Sequence, residues 1–189
     1  MPTISFCERY PVIDILPVIK GAYFSEDRKL LYYTRTAYIR DEGFLYDLVK
    51  FERDPAVKDR NRISESDSIA AVSFNYTGIT GEPVVTILLN ADGNNRVYND
   101  DREFTGFGKA VTYRGVDEQG WYWGVSFLLP EEYLRKIYGS FKIIPGDCIT
   151  GNIYACSLGN EGRHFVSVAP FINQDILCKK NHSAFRLLQ

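Results

Sequence analysis

Hydrophobic and polar positions alternate through most of this chain, a pattern typical of β-strands with one buried face. Turn-forming Gly, Asp and Asn residues separate the alternating segments. We predict about nine strands, at residues 29–38, 44–51, 67–75, 83–90, 109–114, 120–129, 147–156, 165–170 and 184–188. Strands repeated at these intervals predict an all-β fold, a single-domain antiparallel β-sandwich.

Three pairs of these segments are close enough along the chain to form antiparallel hairpins. The turns would fall at residues 41–43, at residues 78–81 and at residues 116–119. Only residues 130–138 have helical marks: Pro130 opens the segment, acidic residues follow at once, basic residues come near its end, and Gly139 closes it. We therefore expect one short helix, with its apolar face capping one end of the sandwich.

Composition narrows the class of partner. The 189 residues are 45% hydrophobic, enough to build a core without a disulfide framework. The 22 basic and 24 acidic residues are mixed along the chain, so no basic stripe is present for nucleic acid. No run approaches the roughly 20 apolar residues of a membrane span. We predict neither a nucleic-acid partner nor a membrane partner, and the oligomeric state stays open.

The cysteines and the N-terminus carry weaker signals. The four cysteines are widely spaced, and we expect free, mostly buried thiols rather than zinc ligands. Residues 1–20 are expected to be an extension packed on a domain formed by residues 21–189. Charged residues and prolines interrupt this N-terminal stretch, so it does not have the pattern of a signal peptide. If the chain is complete, a cytoplasmic location is expected.

Several sequence pieces occur in a characteristic order. They are ERDPAVKDRN, SDSIAAVSF, VVTILLNADGN, WYWGVSFLLPEEYL, GNIYACSLGN, RHFVSVAPF and the terminal FRLL. By this order and spacing, the chain from about residue 20 onward resembles the family 9 carbohydrate-binding modules. The resemblance implies a non-catalytic β-sandwich that holds a sugar between two tryptophan rings and fixes its hydroxyls with polar side chains.

The polar part of such a site is partly present. Tyr154 stands where the family pattern places a sugar-contacting amide, and Asn152 on the same strand is a further candidate. Arg163 and His164 stand near the family's basic contact. The resemblance therefore makes these four residues candidate ligand-binding residues.

The aromatic clamp is absent by the same placement. Ser64 and Lys179 occupy the two tryptophan positions, and Ala70 replaces an expected carboxylate. Val168 stands where relatives have a further tryptophan. We expect a mono- or oligosaccharide ligand bound without the clamp. The alternative is a protein-interaction or structural module that uses the same scaffold without binding sugar.

The two tryptophans have two interpretations. Trp121 and Trp123 are two residues apart in a strand and share one apolar face, which predicts core packing. The alternative is a rebuilt sugar platform. Tyr122 faces the other way, next to Gly124, and becomes a stacking candidate if that face is concave.

Catalytic and metal motifs are weak. The chain has two histidines and no GxSxG, phosphate-loop or HExxH pattern, so we expect no enzymatic activity and no catalytic residue. Oxygen-bearing side chains gather between Asp92 and Glu103, and DGNN begins like a calcium loop, but the glutamate that an EF-hand requires is not at its spacing. We expect no cofactor and a solvated loop, with a structural calcium ion as the alternative.

Overall fold

The computed structural model describes residues 1–24, 31–64, 66–104, 110–157 and 164–189. Its strands are β1 (Thr3–Cys7), β2 (Ile19–Lys20), β3 (Tyr23–Phe24), β4 (Tyr32–Ile39), β5 (Gly43–Lys50), β6 (Ile69–Asn75), β7 (Val85–Asn90), β8 (Asn95–Asn99), β9 (Arg102–Phe104), β10 (Val111–Asp117), β11 (Gly120–Pro130), β12 (Cys148–Ser157), β13 (His164–Ser167) and β14 (Ser183–Leu188). The helix α1 spans Glu131–Tyr138, and single 3-10 turns lie at Ile13–Ile15 and Lys179–Asn181. In the described parts of the chain, no helix has the length and apolar character needed to cross a membrane.

The strands follow one hydrogen-bonded path in the order β10-β11-β5-β4-β1-β14-β12-β6-β7-β8-β9. The path folds back on itself, because the rings of Phe44 on β5 and Tyr76 just after β6 lie 4.7 Å apart although several strands separate them along the path. Tyr46 and Tyr76 also share a hydroxyl hydrogen bond of 2.8 Å across this core. We call β10, β11, β5 and β4 the first sheet, and β14, β12, β6, β7, β8 and β9 the second sheet.

The β-sandwich prediction is confirmed, with two differences of detail. The structure has more strands than the predicted nine, because short strands form in segments read as loops. The antiparallel pattern is also interrupted at β1, which pairs in parallel with both β4 and β14 and so joins the two sheets. Ile4 and Phe6 on β1 are buried in the common core, so the N-terminal residues contribute a strand.

The helix forms where the sequence predicts it. Its first turn carries Glu131, whose buried carboxylate accepts hydrogen bonds from Tyr38 and Arg135. Leu134 is fully buried in the core. The helix ends at Tyr138 and is followed by Gly139, whose positive φ of 74° glycine adopts without strain.

The tryptophan prediction is right for one residue. Trp123 is buried in the core, and its indole nitrogen donates to Glu52 at 2.9 Å. Trp121 shares that face but is 51% exposed, because it lies next to the hairpin turn, beyond the end of the core. The guanidinium of Arg53 covers the Trp121 ring at 5.6 Å.

The cysteine prediction holds in part. All four cysteines are free thiols. Only Cys156 is buried, whereas Cys148 is exposed and the other two are half-buried. Burial raises the pKa of the Cys156 thiol to about 11, so this group stays protonated at neutral pH.

Candidate functional site

Strand β12 places two predicted site residues on the outer face of the second sheet. Ile153 and Ala155 point into the core, so their neighbours Asn152 and Tyr154 point the other way. Both are nevertheless fully buried. The chain after β13 covers them, so neither side chain is presented to solvent.

Both polar atoms of the Asn152 side-chain amide form hydrogen bonds with backbone groups. Its nitrogen donates to the carbonyl oxygens of Ala169 at 3.0 Å and Asn181 at 2.8 Å. Its oxygen accepts from the amide of Ala169 at 2.9 Å and from that of Ile153 at 2.9 Å. The side chain therefore attaches the covering segment to the sheet. Asn152 was predicted to bind ligand, but the structure buries it.

Tyr154 is also enclosed by protein. Its ring packs on Phe165 with centroids 5.4 Å apart, within an apolar cluster that includes Ile63 and Cys156. Burial raises the pKa of its hydroxyl, which stays protonated. The sequence placed this residue on the correct strand but did not reveal the cover above it.

His164 lies at the rim of a cleft on this same outer face. The cleft has a volume of about 310 Å³, and we name it the rear cleft after the residues used below: Tyr98, His164, Gln174, Asp175, Ile176 and Leu177. His164 is partly exposed there. Arg163, predicted beside it, falls outside the described residues.

The Tyr98 wall of the rear cleft is held by Arg96. The Arg96 guanidinium lies 3.5 Å from the Tyr98 hydroxyl, donates to the Ile63 carbonyl at 3.4 Å and pairs with Glu103 at 3.4 Å. Opposite, Ile176 packs on the apolar cluster of this face. The cleft thus combines an aromatic ring and aliphatic surface with an imidazole, an amide and a carboxylate.

The positions matched to the family clamp carry no aromatic surface. The Ser64 amide donates to Asp67 at 3.1 Å, and the Lys179 ammonium pairs with Asp100 at 2.6 Å. Ala70 and Val168 are buried in the core between the sheets. None of these four side chains offers a face on which a sugar could stack.

Tyr122 lies on the opposite side of the molecule, on the outer face of the first sheet. It lines a groove of about 920 Å³. We name this the front groove after the residues that carry its chemistry: Tyr33, Arg35, Asp47, Phe51, Tyr113 and Tyr122. Its walls also include residues of the N-terminal segment, among them Asp14 and Lys20.

Glycines shape the floor of the front groove. A Cβ added at Gly124 would meet the Tyr113 ring at 2.2 Å, and one added at Gly115 would meet the Tyr122 hydroxyl at 2.4 Å. Each tyrosine pairs across the β10–β11 hairpin with the glycine it covers. Both tyrosine side chains therefore reach across the glycine positions, and their ring planes are inclined by 71° to each other.

Of the residues that define the front groove, Tyr122 was identified from the sequence and the others were missed. Tyr33 and Arg35 are two apart on β4, which is the only local hint that they share a face. Tyr113 could have been found from the predicted hairpin, since it lies across from Gly124. For the rear cleft, residues 174–177 gave no periodic signal.

The described residues contain no group of three His, Cys, Asp or Glu side chains that could hold a metal ion. Two residues of the segment considered as an alternative calcium site have protein partners. Asp92 lies 3.4 Å from Arg114, and Asn94 donates to the Arg60 carbonyl at 3.1 Å. These contacts hold the loop through side chains of the protein itself.

Comparison with known proteins gives a structural match alone. No family model matches the sequence, and no curated protein matches it. A Bacteroides uniformis protein provisionally described as carbohydrate-binding superposes with a TM-score of 0.75 at 12% identity, over 99% of this chain and 98% of that one.

Two further matches are structures of a family 9 carbohydrate-binding module from Caldicellulosiruptor kristjanssonii. The glucose complex has a TM-score of 0.64 at 9% identity, over 98% of this chain and 95% of that one. The cellotriose complex has a TM-score of 0.65 at 10% identity, over 98% and 93%. The chain has the family 9 carbohydrate-binding-module fold. At these identities the likeness establishes the family 9 fold and leaves the ligand to the chemistry of this chain's own surface.

Proposed function

We propose that this chain binds carbohydrate without catalysis, and that the rear cleft holds one sugar ring. The observation that carries the proposal is the composition of that cleft. Tyr98, Ile176 and Leu177 offer apolar surface, while His164, Gln174 and Asp175 offer hydrogen-bonding groups. A pyranose has matching parts, an apolar C–H face and a rim of hydroxyls.

The size of the cleft favours a small ligand. Its volume of about 310 Å³ is at the low end of the roughly 300–1,000 Å³ typical of small-molecule sites. The solved modules of the same fold hold glucose and cellotriose, which supports a monosaccharide or the end of a chain here. Ser64 and Lys179 stand at the clamp positions, so Tyr98 is the one ring available for stacking in place of two tryptophans. We therefore expect weak binding.

The same residues argue against catalysis. Glycoside hydrolysis uses two carboxylates flanking the scissile bond. Among the described residues that line the rear cleft, Asp175 is the single carboxylate. A binding role therefore fits the cleft better than a hydrolytic one.

The proposal is tested by calorimetric titration with glucose and with cellotriose. Tyr98→Ala should weaken binding about tenfold, because a ring contact is worth about 0.5–1.5 kcal/mol beyond its buried area. Tyr98→Phe keeps the ring and should bind within about threefold of the parent, a difference of about 0.7 kcal/mol. Lys142→Ala, at an exposed position outside the cleft, is the control.

Two results would overturn this assignment. One is the absence of any heat with either sugar at millimolar concentrations in a folded sample. The other is equal binding by Tyr98→Ala and the parent. The first result would favour the alternative role, a protein-interaction or structural module.

A further inference from the structure

We propose that the front groove is a second binding site, which takes a neutral oligosaccharide chain rather than a single sugar ring. The groove lies on the opposite sheet from the rear cleft and shares no lining residue with it. The inference therefore stands or falls independently of the site proposed above.

The first step is the aromatic surface formed by Tyr113 and Tyr122. Each side chain reaches over a glycine of the neighbouring strand, with no Cβ between them. The two ring planes are inclined by 71°, so the surface is angled rather than flat. An aromatic ring in a groove offers a face or an edge to the apolar C–H face of a pyranose.

The aromatic surface continues beyond these two rings. Tyr122 lies 6.5 Å from Tyr113 and 5.6 Å from Phe51, measured between ring centroids. Phe51 in turn lies 5.4 Å from Tyr33. Four rings thus follow one another along the groove in tilted and edge-to-face contact, and the volume of about 920 Å³ is roughly three times that of the rear cleft. A linked chain of sugars fits this shape, because its successive rings need successive apolar surfaces.

The second step is the polar pair in the groove wall. The Asp47 side chain is only 5% exposed and accepts hydrogen bonds from Tyr113 at 2.5 Å and from Arg35 at 3.1 Å. The Arg35 Nε is buried and has no hydrogen-bond partner among the described residues. Burying such a pair is costly unless its geometry is good and its remaining groups are hydrogen-bonded. The Arg35 side chain is 24% exposed, so the N–H groups of its exposed part, unlike the buried Nε, can donate to sugar hydroxyls.

The third step is the charge of the groove. Asp14, Asp47 and Asp117 face Lys20 and Arg35, so acidic and basic groups nearly balance among the described lining residues. A phosphate-bearing or polyanionic ligand would need a clear basic excess. The balanced charge favours an uncharged, polyhydroxylated ligand.

A proline-rich peptide is the competing occupant, since aromatic grooves also bind polyproline helices. Proline has no N–H donor, so such a helix offers the groove mainly carbonyl acceptors. The groove lining includes the carboxylates of Asp14 and Asp117 as well as the Lys20 ammonium, and sugar hydroxyls can both donate and accept. This mixed lining therefore favours the sugar chain.

The test is an amide chemical-shift titration of the ¹⁵N-labelled protein. The probes are glucose, cellotriose, maltotriose, xylotriose and mannotriose, with decaproline as the peptide. We expect at least one trisaccharide to shift the amides of β10, β11 and β5 at concentrations where glucose leaves them unchanged. The inference is overturned if the four trisaccharides leave these amides unshifted, or if decaproline alone shifts them.

Variants separate the two sites. Tyr122→Ala and Phe51→Leu should each weaken trisaccharide binding at the groove about tenfold, while glucose shifts at the rear cleft stay as in the parent. Phe51→Leu keeps apolar bulk, so it remains informative if Tyr122→Ala unfolds. Tyr98→Ala should weaken glucose binding at the rear cleft and leave trisaccharide binding at the groove as in the parent. Groove shifts that survive both Tyr122→Ala and Phe51→Leu in folded samples would refute the assignment.

Discussion

The ring of Tyr113 lies directly over Gly124 of the neighbouring strand, so close that a Cβ on the glycine would be 2.2 Å from the ring. The same ring carries a hydroxyl that donates to Asp47 at 2.5 Å. Gly124 therefore fixes the height at which Tyr113 meets the carboxylate. The lack of a Cβ at Gly124 on β11 thus shapes the front groove, which residues of several other strands also line.

Gly124→Ala should lift the Tyr113 ring and break its hydrogen bond to Asp47. We expect a loss of about 1–3 kcal/mol in the free energy of unfolding, as for overpacked sites, measured by urea denaturation. Trisaccharide binding at the front groove should weaken in parallel. Ser126→Ala is the matched control on the same face of β11 and should cost less than about 0.5 kcal/mol. A Gly124→Ala protein as stable as the parent would contradict this account of the ring.

A buried charge links the two sheets at Lys50. Its side chain is fully buried, and its ammonium donates to the Cys156 carbonyl at 2.8 Å and pairs with Glu52 at 3.0 Å. Burial lowers the pKa of Lys50, and the neighbouring Glu52 carboxylate opposes that change. Glu52 also accepts from the indole of Trp123.

Removing the Glu52 carboxylate should destabilise the protein more than removing the Lys50 ammonium. Glu52→Gln leaves the buried ammonium without a counter-charge, and we expect a loss of about 2–4 kcal/mol. Lys50→Met fills similar volume without a charge and should cost about 1–2 kcal/mol, mainly for the unpaired Cys156 carbonyl. Urea denaturation of both variants and of the double variant measures the order. A larger loss for Lys50→Met would show that the hydrogen bond matters more than the ion pair.

The titration of His182 should make the stability of the fold depend on pH. Burial, and then the nearby Lys179, lower the pKa of His182 to about 4. In the unfolded chain the pKa returns to about 6.5, so the unfolded state binds more protons between these two values. The stability contributed by neutral His182 is therefore complete above about pH 6.5 and is lost as the pH falls toward 4.

The change is measurable between pH 7 and pH 5. We expect His182 to account for a loss of about 1–2 kcal/mol over this range, after allowance for its partial exposure. The neutral imidazole lies 3.0 Å from the Ser73 hydroxyl. His182→Gln keeps a polar partner for that hydroxyl and removes the titration, so its stability should fall less. Equal slopes for the two proteins would rule out this role of His182.

The sequence predicts the long strands well because turn-forming residues bound their apolar segments, even where every residue is buried, as in β5 and β6. It identified β4, β5, β6, β7, β11 and β12 within a few residues. It did not reveal β1, since this short strand is specified by parallel pairing with β4 and with β14 at the other end of the chain. The strands β8 and β9 were read as a polar loop because few of their residues are buried.

The candidate sites show the same limit. The family resemblance made Asn152 and Tyr154 candidate ligand-binding residues on one strand, but the segment that covers them is held by contacts distant in sequence. The front groove draws Arg35 and Asp47 from one hairpin and Tyr113 from another. No local pattern brings these together, because the β5–β11 pairing that joins the hairpins is a long-range contact.

Asn181 organises the wall of the rear cleft. Its side-chain nitrogen donates to the carbonyl oxygens of Asn173 and Asp175, both at 2.9 Å, and its oxygen accepts from the amide of Ile172 at 2.7 Å. Its own carbonyl receives the amide of Asn152. One buried side chain thus holds the segment that presents Gln174–Leu177 to the cleft.

Asn181→Asp replaces two donors with a carboxylate oxygen that faces two carbonyl oxygens. We expect a loss of about 2–3 kcal/mol and faster hydrogen exchange at Ile172, because the loop loses its internal partner. Glucose binding at the rear cleft should fall more than tenfold, while trisaccharide shifts at the front groove persist. Lys180→Ala, exposed in the same turn, is the control and should leave both sites unchanged. Glucose affinity retained by a folded Asn181→Asp protein would mean that the 172–177 segment does not form the site.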